Sequence, residues 1–241
     1  MKKSETFVQG AQFRKVSVQG IELELELNEH IFPPSVNGSF YAESIKINAG
    51  ETVIDIGTGS GMLAIFAAKL RAAVYATDID DYAIETAGRN AVLNKVEVEF
   101  SPGSLFAGFD KKFDVILANL PNEIIHTTYL DSVGKELART FDGGQKGNEH
   151  ILELLKVAKM YMHENSRLYL PVHTLTDYHE TLRLAVENYQ ARLVALEQLP
   201  TKEFVEENLD FYLKLNAAGV IRIFSLDGKW YSNGYIFELS L

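Results

Sequence analysis

Within a few residues the chain passes from Val53-Ile54-Asp55-Ile56 through Gly57-Thr58-Gly59-Ser60-Gly61 to Met62-Leu63-Ala64. An apolar strand that runs into a tight glycine turn and then opens a helix is one half of a parallel β–α–β unit. Glycine admits backbone conformations closed to other residues and lets a ligand approach the chain closely. The helix start adds unpaired N–H groups and the positive end of a dipole. Asp78 ends the next apolar segment, in Ala76-Thr77-Asp78-Ile79-Asp80. A carboxylate there can accept two hydrogen bonds from a ribose diol. The dinucleotide fingerprint would need glycine at 62, where Met62 stands, and a P-loop would need Gly-Lys-Ser/Thr, which the turn lacks. The spacing that remains, G-x-G-x-G, suits an adenosine without a pyrophosphate.

Strands are predicted over Thr52–Ile56, Ala73–Thr77, Val96–Phe100, Phe113–Ala118 and Arg167–Leu170. Helical spacing lies between them, over Met62–Leu70, Tyr82–Leu93, Glu123–Ala138 and Glu149–Tyr161. Short apolar strands alternating with helices predict a parallel sheet covered on both faces. Gly57, Asp78, Ser104 and Asn119 all fall just past the carboxyl ends of consecutive strands, the ligand edge of such sheets.

Both ends of the chain depart from this rhythm. Ile21–Leu27 alternates strictly between apolar residues and glutamate, a half-buried strand that can pair with Phe13–Val18 across Gln19-Gly20. Its glutamates are read as guards of an exposed edge. Residues 1–40 are accordingly expected to form a hairpin extension on a main domain of residues 41–241. In the tail, Thr176–Glu187 reads as a helix and Ala191–Leu196 as a strand. Val205–Ala217 reads as a helix within an insertion of about residues 201–219, with Gly219 beyond it as a stop. Val220–Phe224 and Tyr235–Leu239 are predicted to close the sheet as antiparallel strands, with Asp227-Gly228 as a hairpin turn.

The stretch Glu51–Pro121 resembles the class I S-adenosylmethionine-dependent methyltransferases. Asp55-Ile56-Gly57-Thr58-Gly59-Ser60-Gly61 is similar to their first motif and Asp78 to their ribose-binding acid. The resemblance implies a Rossmann-like seven-stranded sheet, mostly parallel, with an antiparallel last strand and helices on both faces. It implies S-adenosyl-L-methionine as cofactor, held by Asp55, Gly57, Thr58, Gly59, Gly61, Asp78, Ile79, Ser104, Leu105 and Asn119. Position 79 would pack on the adenine. Ser104 stands where many relatives carry an acid, and a serine accepts a hydrogen bond more weakly than a carboxylate.

Asn119-Leu120-Pro121-Asn122 resembles the Asn-Pro-Pro-Tyr segment of methyltransferases that modify planar nitrogen, in nucleobase amines or glutamine amides. Phe141-Asp142-Gly143-Gly144-Gln145-Lys146-Gly147 is similar to a Gly-Gly-x-x-Gly segment of glutamine methyltransferases acting on release factors and ribosomal protein. A planar nitrogen is a poor nucleophile because its lone pair is delocalised. Acceptors such as the Asn119 side-chain oxygen and the Leu120 carbonyl, on its N–H bonds, would turn that lone pair toward the methyl group. Pro121 removes a competing N–H and holds Leu120 extended. Asn119, Leu120 and Pro121 are thus the expected catalytic set. Asn122 replaces the aromatic that stacks on a planar substrate.

Composition narrows the chemistry. The 241 residues contain no cysteine, which excludes disulfides, thiolate metal sites and cysteine-ligated clusters. The histidines lack metal-ligand spacing, so no metal site is expected. His126 and His173 are candidate general bases, each with an alternative as a surface or cap residue. The resemblance also implies a loop that closes over the cofactor ahead of the core, where Phe32, Pro33 and Ser35 stand, with Tyr41 lining that entrance. The net charge of −10 makes nucleic acid a less favoured partner. With no apolar run of membrane-spanning length, a cytoplasmic enzyme is expected. A protein side-chain nitrogen is the first expected acceptor and a small-molecule N- or O-acceptor the second. A non-catalytic cofactor-binding module and a nicotinamide oxidoreductase, the latter weakened by Met62, are the alternatives of other classes.

Overall fold

A computed structural model describes residues 12–27, 31, 35–133 and 141–241. The chain divides into two compact units, residues 1–119 with 160–169, and residues 120–159 with 170–241.

The first unit begins with a hairpin of strands β1 (Gln12–Val18) and β2 (Ile21–Leu27), paired antiparallel across Gln19 and Gly20. Both turn residues have positive φ, +48° and +79°, which matches the twist of a two-residue hairpin. Leu23, Leu25 and Leu27 are buried, as the alternation requires. The outer edge of β2 is covered by amides as well as by charge. Asn90 accepts from the Glu26 N–H at 2.6 Å and donates to its carbonyl at 3.0 Å. Asn94 repeats this on Glu24, at 3.0 and 2.6 Å. Two helical asparagines thereby stand in for a neighbouring strand.

Helix α1 (Val36–Ser44) follows, capped by Ser35, whose hydroxyl accepts from the Gly38 N–H. Then come β3 (Thr52–Ile56), α2 (Met62–Lys69), β4 (Ala73–Asp78), α3 (Asp81–Leu93), β5 (Glu99–Pro102) and β6 (Val115–Ala118). With β7 (Arg167–His173) they lie in the order β5-β4-β3-β6-β7, every pairing parallel. The chain runs outward from β3 through β4 to β5, then returns to β6 on the other side of β3. The switch point of the sheet is therefore between β3 and β6, where open α/β sheets bind ligands. Strand β5 starts three residues later than the expected Val96. Lys95 takes φ +56° after the Asn94 helix cap, and Val96 still donates back to the Ala91 carbonyl, so the chain is not yet extended.

The second unit contains α4 (Thr127–Val133), α5 (Glu149–Val157), the end of β7, α6 (Tyr178–Asn188), β8 (Gln190–Pro200), α7 (Glu203–Glu207), α8 (Leu209–Ala217), β9 (Ile223–Leu226) and β10 (Lys229–Ser240). Its strand order is β7-β10-β8, with β9 on β10. Strand β10 runs antiparallel to both β8 and β9. The fold is thus Rossmann-like, mostly parallel, with the expected antiparallel last strand. The short β9, joined to β10 across Asp227 and Gly228, makes eight strands outside the hairpin among the described residues, instead of seven. The helix expected over Glu123–Ala138 starts only at Thr127, and its expected end lies outside the described residues. The insertion is two helices, broken at Asn208.

Candidate functional site

The glycine turn is built on β3, whose Val53, Ile54, Asp55 and Ile56 are buried. Gly57 and Thr58 both donate backbone N–H groups to the Thr77 carbonyl at the end of β4, at 2.8 and 3.0 Å. Gly57, Gly59 and Gly61 all have positive φ. At Gly61 the reason is packing as well: a Cβ there would lie 3.0 Å from the Ala87 Cβ of α3. At Gly59 a Cβ would meet nothing within 4 Å, so open space lies against the backbone. Gly61 caps α2 without a side-chain bond.

Asp55 is fully buried. Its Oδ2 accepts from the Thr58 hydroxyl at 2.7 Å and the Ala64 N–H at 3.2 Å, while Oδ1 has no partner. Burial pushes its pKa up to about 7, against the lowering effect of those two bonds and with the Asp78 charge adding to the rise. Asp78 accepts from the Gly59 N–H at 2.9 Å through Oδ2 and from the Asp80 N–H at 3.0 Å through Oδ1. Burial raises its pKa too. The carboxylate expected to grip a ribose thus also fixes the turn beside it, and each oxygen keeps a lone pair for a further donor.

Ile79, next to Asp78, is 80% exposed, an apolar side chain with no protein surface to cover it. The loop after β5 is stitched to β4. Gly103 donates to the Asp78 carbonyl at 2.8 Å, and the Thr77 hydroxyl donates to the Leu105 carbonyl. Leu105 has φ +53°, a conformation that costs a side-chain-bearing residue energy and occurs at ligand clamps. Ser104 is exposed on the same loop. Asn119 is exposed at the end of β6, its amide nitrogen against α1, where a Cβ on Gly38 would be 3.3 Å away. The first unit therefore brings Asp55, Gly57, Thr58, Gly59, Gly61, Asp78, Ile79, Ser104, Leu105 and Asn119 to one edge of its sheet. Tyr41, expected to line an entrance, is instead fully buried. Its hydroxyl donates to the Tyr169 carbonyl at 2.9 Å and accepts from the Ala118 N–H at 3.1 Å. Phe32 and Pro33 lie outside the described residues.

In the second unit, Leu120, Pro121 and Asn122 are half-buried. The Asn122 amide points to the Pro171 carbonyl, at 3.5 Å. The residues after them are held from three directions. Glu123 bridges to Asp142, and its carboxylate pairs with Lys202 at 2.8 Å. Ile124 donates to the Leu175 carbonyl at 2.9 Å. The Tyr212 hydroxyl, on α8, donates to the Ile124 carbonyl at 2.9 Å and accepts from the His126 N–H at 3.2 Å.

The Gly143–Gly147 turn explains its own composition. A Cβ on Gly147, at φ +72°, would lie 2.6 Å from the Ile124 nitrogen, and one on Gly143 would run into the Gly147 carbonyl. The turn supports residues 123–124 by close backbone contact. The sequence does not announce Tyr212, Glu123 and Lys202: two lie in the helical insertion and Glu123 at the start of an expected helix, and none of them signals what it holds.

The histidines are placed as structural groups. The His126 Nδ1 accepts from the Thr128 N–H at 3.3 Å, capping α4, and its ring packs edge-on against Phe211. His173 is buried with Nδ1 unpartnered, and burial lowers its pKa to about 4, with nearby Glu123 opposing and Lys202 assisting. A group neutral down to pH 4 is poorly matched to general-base work near neutrality. Among the described residues no cluster of three or more potential metal ligands occurs.

The family described as ribosomal protein L11 methyltransferase (PrmA) matches residues 38–139, which include the whole glycine turn, Asp78 and Asn119. A ribosomal protein L11 methyltransferase of Caldicellulosiruptor saccharolyticus is 41% identical over 47% of this chain and 42% of its own length. A Methanocaldococcus jannaschii protein, provisionally named a protein N5-glutamine methyltransferase, is 27% identical over 80% of this chain and 97% of its own. The fold matches the Thermus thermophilus 16S rRNA N2 G1207 methyltransferase, solved with AdoMet and guanosine, with a TM-score of 0.63. That match has 13% identity and covers 95% of this chain and 50% of the other. The chain thus spans less than half of the length of the Caldicellulosiruptor saccharolyticus protein that it matches, and shares a Rossmann-like fold with the rRNA methyltransferase.

Proposed function

We propose that the chain is an S-adenosylmethionine-dependent methyltransferase acting on a nitrogen of a protein side chain, in the cytoplasm. The observation that carries the cofactor is the pair of carboxylates on the neighbouring strands β3 and β4 beside the glycine turn. Asp55 keeps a buried oxygen unpaired beside a turn whose Gly59 opens onto empty space, and Asp78 stands next to it. A buried acceptor without a donor is costly, and a ligand ammonium or hydroxyl delivered to this edge would relieve it. Asp78 would take the ribose hydroxyls and exposed Ile79 the adenine face. Gly57, Thr58, Gly59 and Gly61 would follow the methionine part, with Ser104 and Leu105 at the adenine end.

Bound S-adenosylmethionine supplies a methyl group made electrophilic by its sulfonium. Asn119 and the Leu120 carbonyl would hold the N–H bonds of the acceptor, and Pro121 would keep Leu120 extended. The gain is that of positioning nucleophile and methyl in line. The match to the L11 methyltransferase family and the full-length similarity to the archaeal relative support a protein acceptor. The net charge of −10 disfavours a phosphate backbone as the surface to be bound. Asn122, without an aromatic face, favours as second reading a small-molecule acceptor that needs no stacking. Among the described residues no helix is long and apolar enough to cross a membrane.

Calorimetric titration with S-adenosylhomocysteine tests the cofactor, and saturable heat at one site is expected. Transfer of labelled methyl from S-adenosylmethionine to ribosomal-protein, release-factor, RNA and metabolite fractions then tests the acceptor. Label confined to RNA or metabolites refutes the protein acceptor, and absence of binding refutes the whole reading.

A further inference from the structure

The two outer edges of the strand order are built differently. Strand β5 is short, has Glu99 at its start and ends in Pro102, features that blunt an edge. Strand β8 runs for 11 residues, QARLVALEQLP, without lysine and without proline before its last position. Among the described residues it pairs with β10 alone. Leu193 and Leu196 are 48% and 57% exposed on it.

The register with β10 fixes which face each residue takes. Leu196 lies opposite Tyr235 and Leu193 opposite Phe237, with Val194 as the extra residue of a bulge. Tyr235 and Phe237 are two apart and share a face, so Leu193 and Leu196 share it as well, despite being three apart. Their neighbours Tyr235 and Phe237 are only half-buried, with rings 6.3 Å apart. On the opposite face, Arg192 lies across from Glu238, with which it pairs at 2.8 Å, and Glu197 lies across from Gly234. Arg192 and Glu197 therefore also share a face, and both are exposed.

This pattern is self-complementary. If two copies of β8 run antiparallel about a two-fold axis through the bulge, Leu193 of each meets Leu196 of the other. In the same register Arg192 meets Glu197, and Ala191 meets Gln198, every pair on a common face. An axis perpendicular to the sheet requires paired residues to share a face, and without the bulge residues 193 and 196 would not. The opposite charges then stand directly across the seam twice, the arrangement that stabilises a cross-strand pair. Closed two-fold pairing also removes the open edge. We propose that the outer edge of β8 is the docking surface for a second copy of this chain, joined by continuous antiparallel strand pairing centred between Val194 and Ala195.

Sedimentation velocity of the full chain tests this, with circular dichroism to confirm that each variant is folded. The unaltered chain is expected to dimerise in the micromolar range. Arg192→Glu and Glu197→Arg each place like charges across the seam twice, so each should raise the dissociation constant about tenfold or more. The R192E/E197R double variant should recover dimerisation, and an equimolar mixture of the two single variants should form mixed dimers. A chain that stays monomeric to about 200 µM, well above the micromolar constants of specific pairs, overturns the proposal. So does a dimer indifferent to both reversals, or one that the double variant fails to restore.

Discussion

Two buried titratable groups pull the stability of this protein in opposite directions as pH changes, and separating them is a sharp test of the buried chemistry. Asp55 has a folded pKa of about 7 against 3.8 for the exposed group. Between those values the folded chain holds a proton that the unfolded chain releases, so stability falls as pH rises from about 4 to 7. At 1.36 kcal/mol per pH unit, the fall is about 4 kcal/mol. His173 has a folded pKa of about 4 against 6.5. Here the unfolded chain takes up the proton first, so stability rises by about 3 kcal/mol from pH 4 to 6.5. In the unaltered protein the two slopes nearly offset each other.

Asp55→Asn keeps an oxygen for Thr58 and Ala64 and removes one slope. Its stability minus that of the unaltered chain should increase by about 4 kcal/mol between pH 4 and pH 7. For His173→Gln the same difference should decrease by about 3 kcal/mol between pH 4 and 6.5. Urea unfolding at closely spaced pH values reads both curves, and titrating groups distant from the substituted residue cancel in the differences. Variant and unaltered curves that run parallel would refute the assignment of a protonated Asp55 and a neutral His173.

Three further outcomes follow from the geometry. Tyr212→Phe strips a donor from the Ile124 carbonyl and an acceptor from the His126 N–H at a fully buried side chain. It should cost about 2–4 kcal/mol in chemical unfolding and lower methyl transfer without weakening S-adenosylhomocysteine binding. Gly147→Ala forces a Cβ against the Glu123–Ile124 backbone at positive φ, and should destabilise by about 3 kcal/mol or more in a thermal melt, whereas Gly219→Ala, with open space around it, should cost far less. Asp78→Asn should weaken S-adenosylhomocysteine about 10- to 100-fold by calorimetry, since a charged acceptor on the ribose is lost.

The parts legible in the sequence were those where local pattern and tertiary demand coincide. The glycine turn, the apolar strands on either side of it, the Gln19-Gly20 and Asp227-Gly228 hairpins and the reversal of the last strand all follow from spacing and turn chemistry. Boundaries moved where long-range bonds override propensity. Residues 123–126 have helical spacing but are not helical, because Asp142, Leu175 and Tyr212 each take one of their backbone groups. Strand β8 is nearly twice as long as its apolar run, since its ends are defined by β10 and not by hydrophobicity. Tyr41 and His173 look in sequence like groups available to a site, and only burial reveals that they are not. The role of Gly143–Gly147 was beyond any local reading, because what each glycine avoids lies on another segment.

Tyr41 carries a consequence of its own. The ladder between β6 and β7 ends at Leu117 and Tyr169, and the phenol of Tyr41 occupies the place of the bond that the Ala118 N–H and the Tyr169 carbonyl would otherwise make directly. A side chain from α1 thus acts as a wedge that forks two neighbouring strands just before Asn119. One hydroxyl oxygen, accepting from one strand and donating to the other, thereby sets the spacing at that fork.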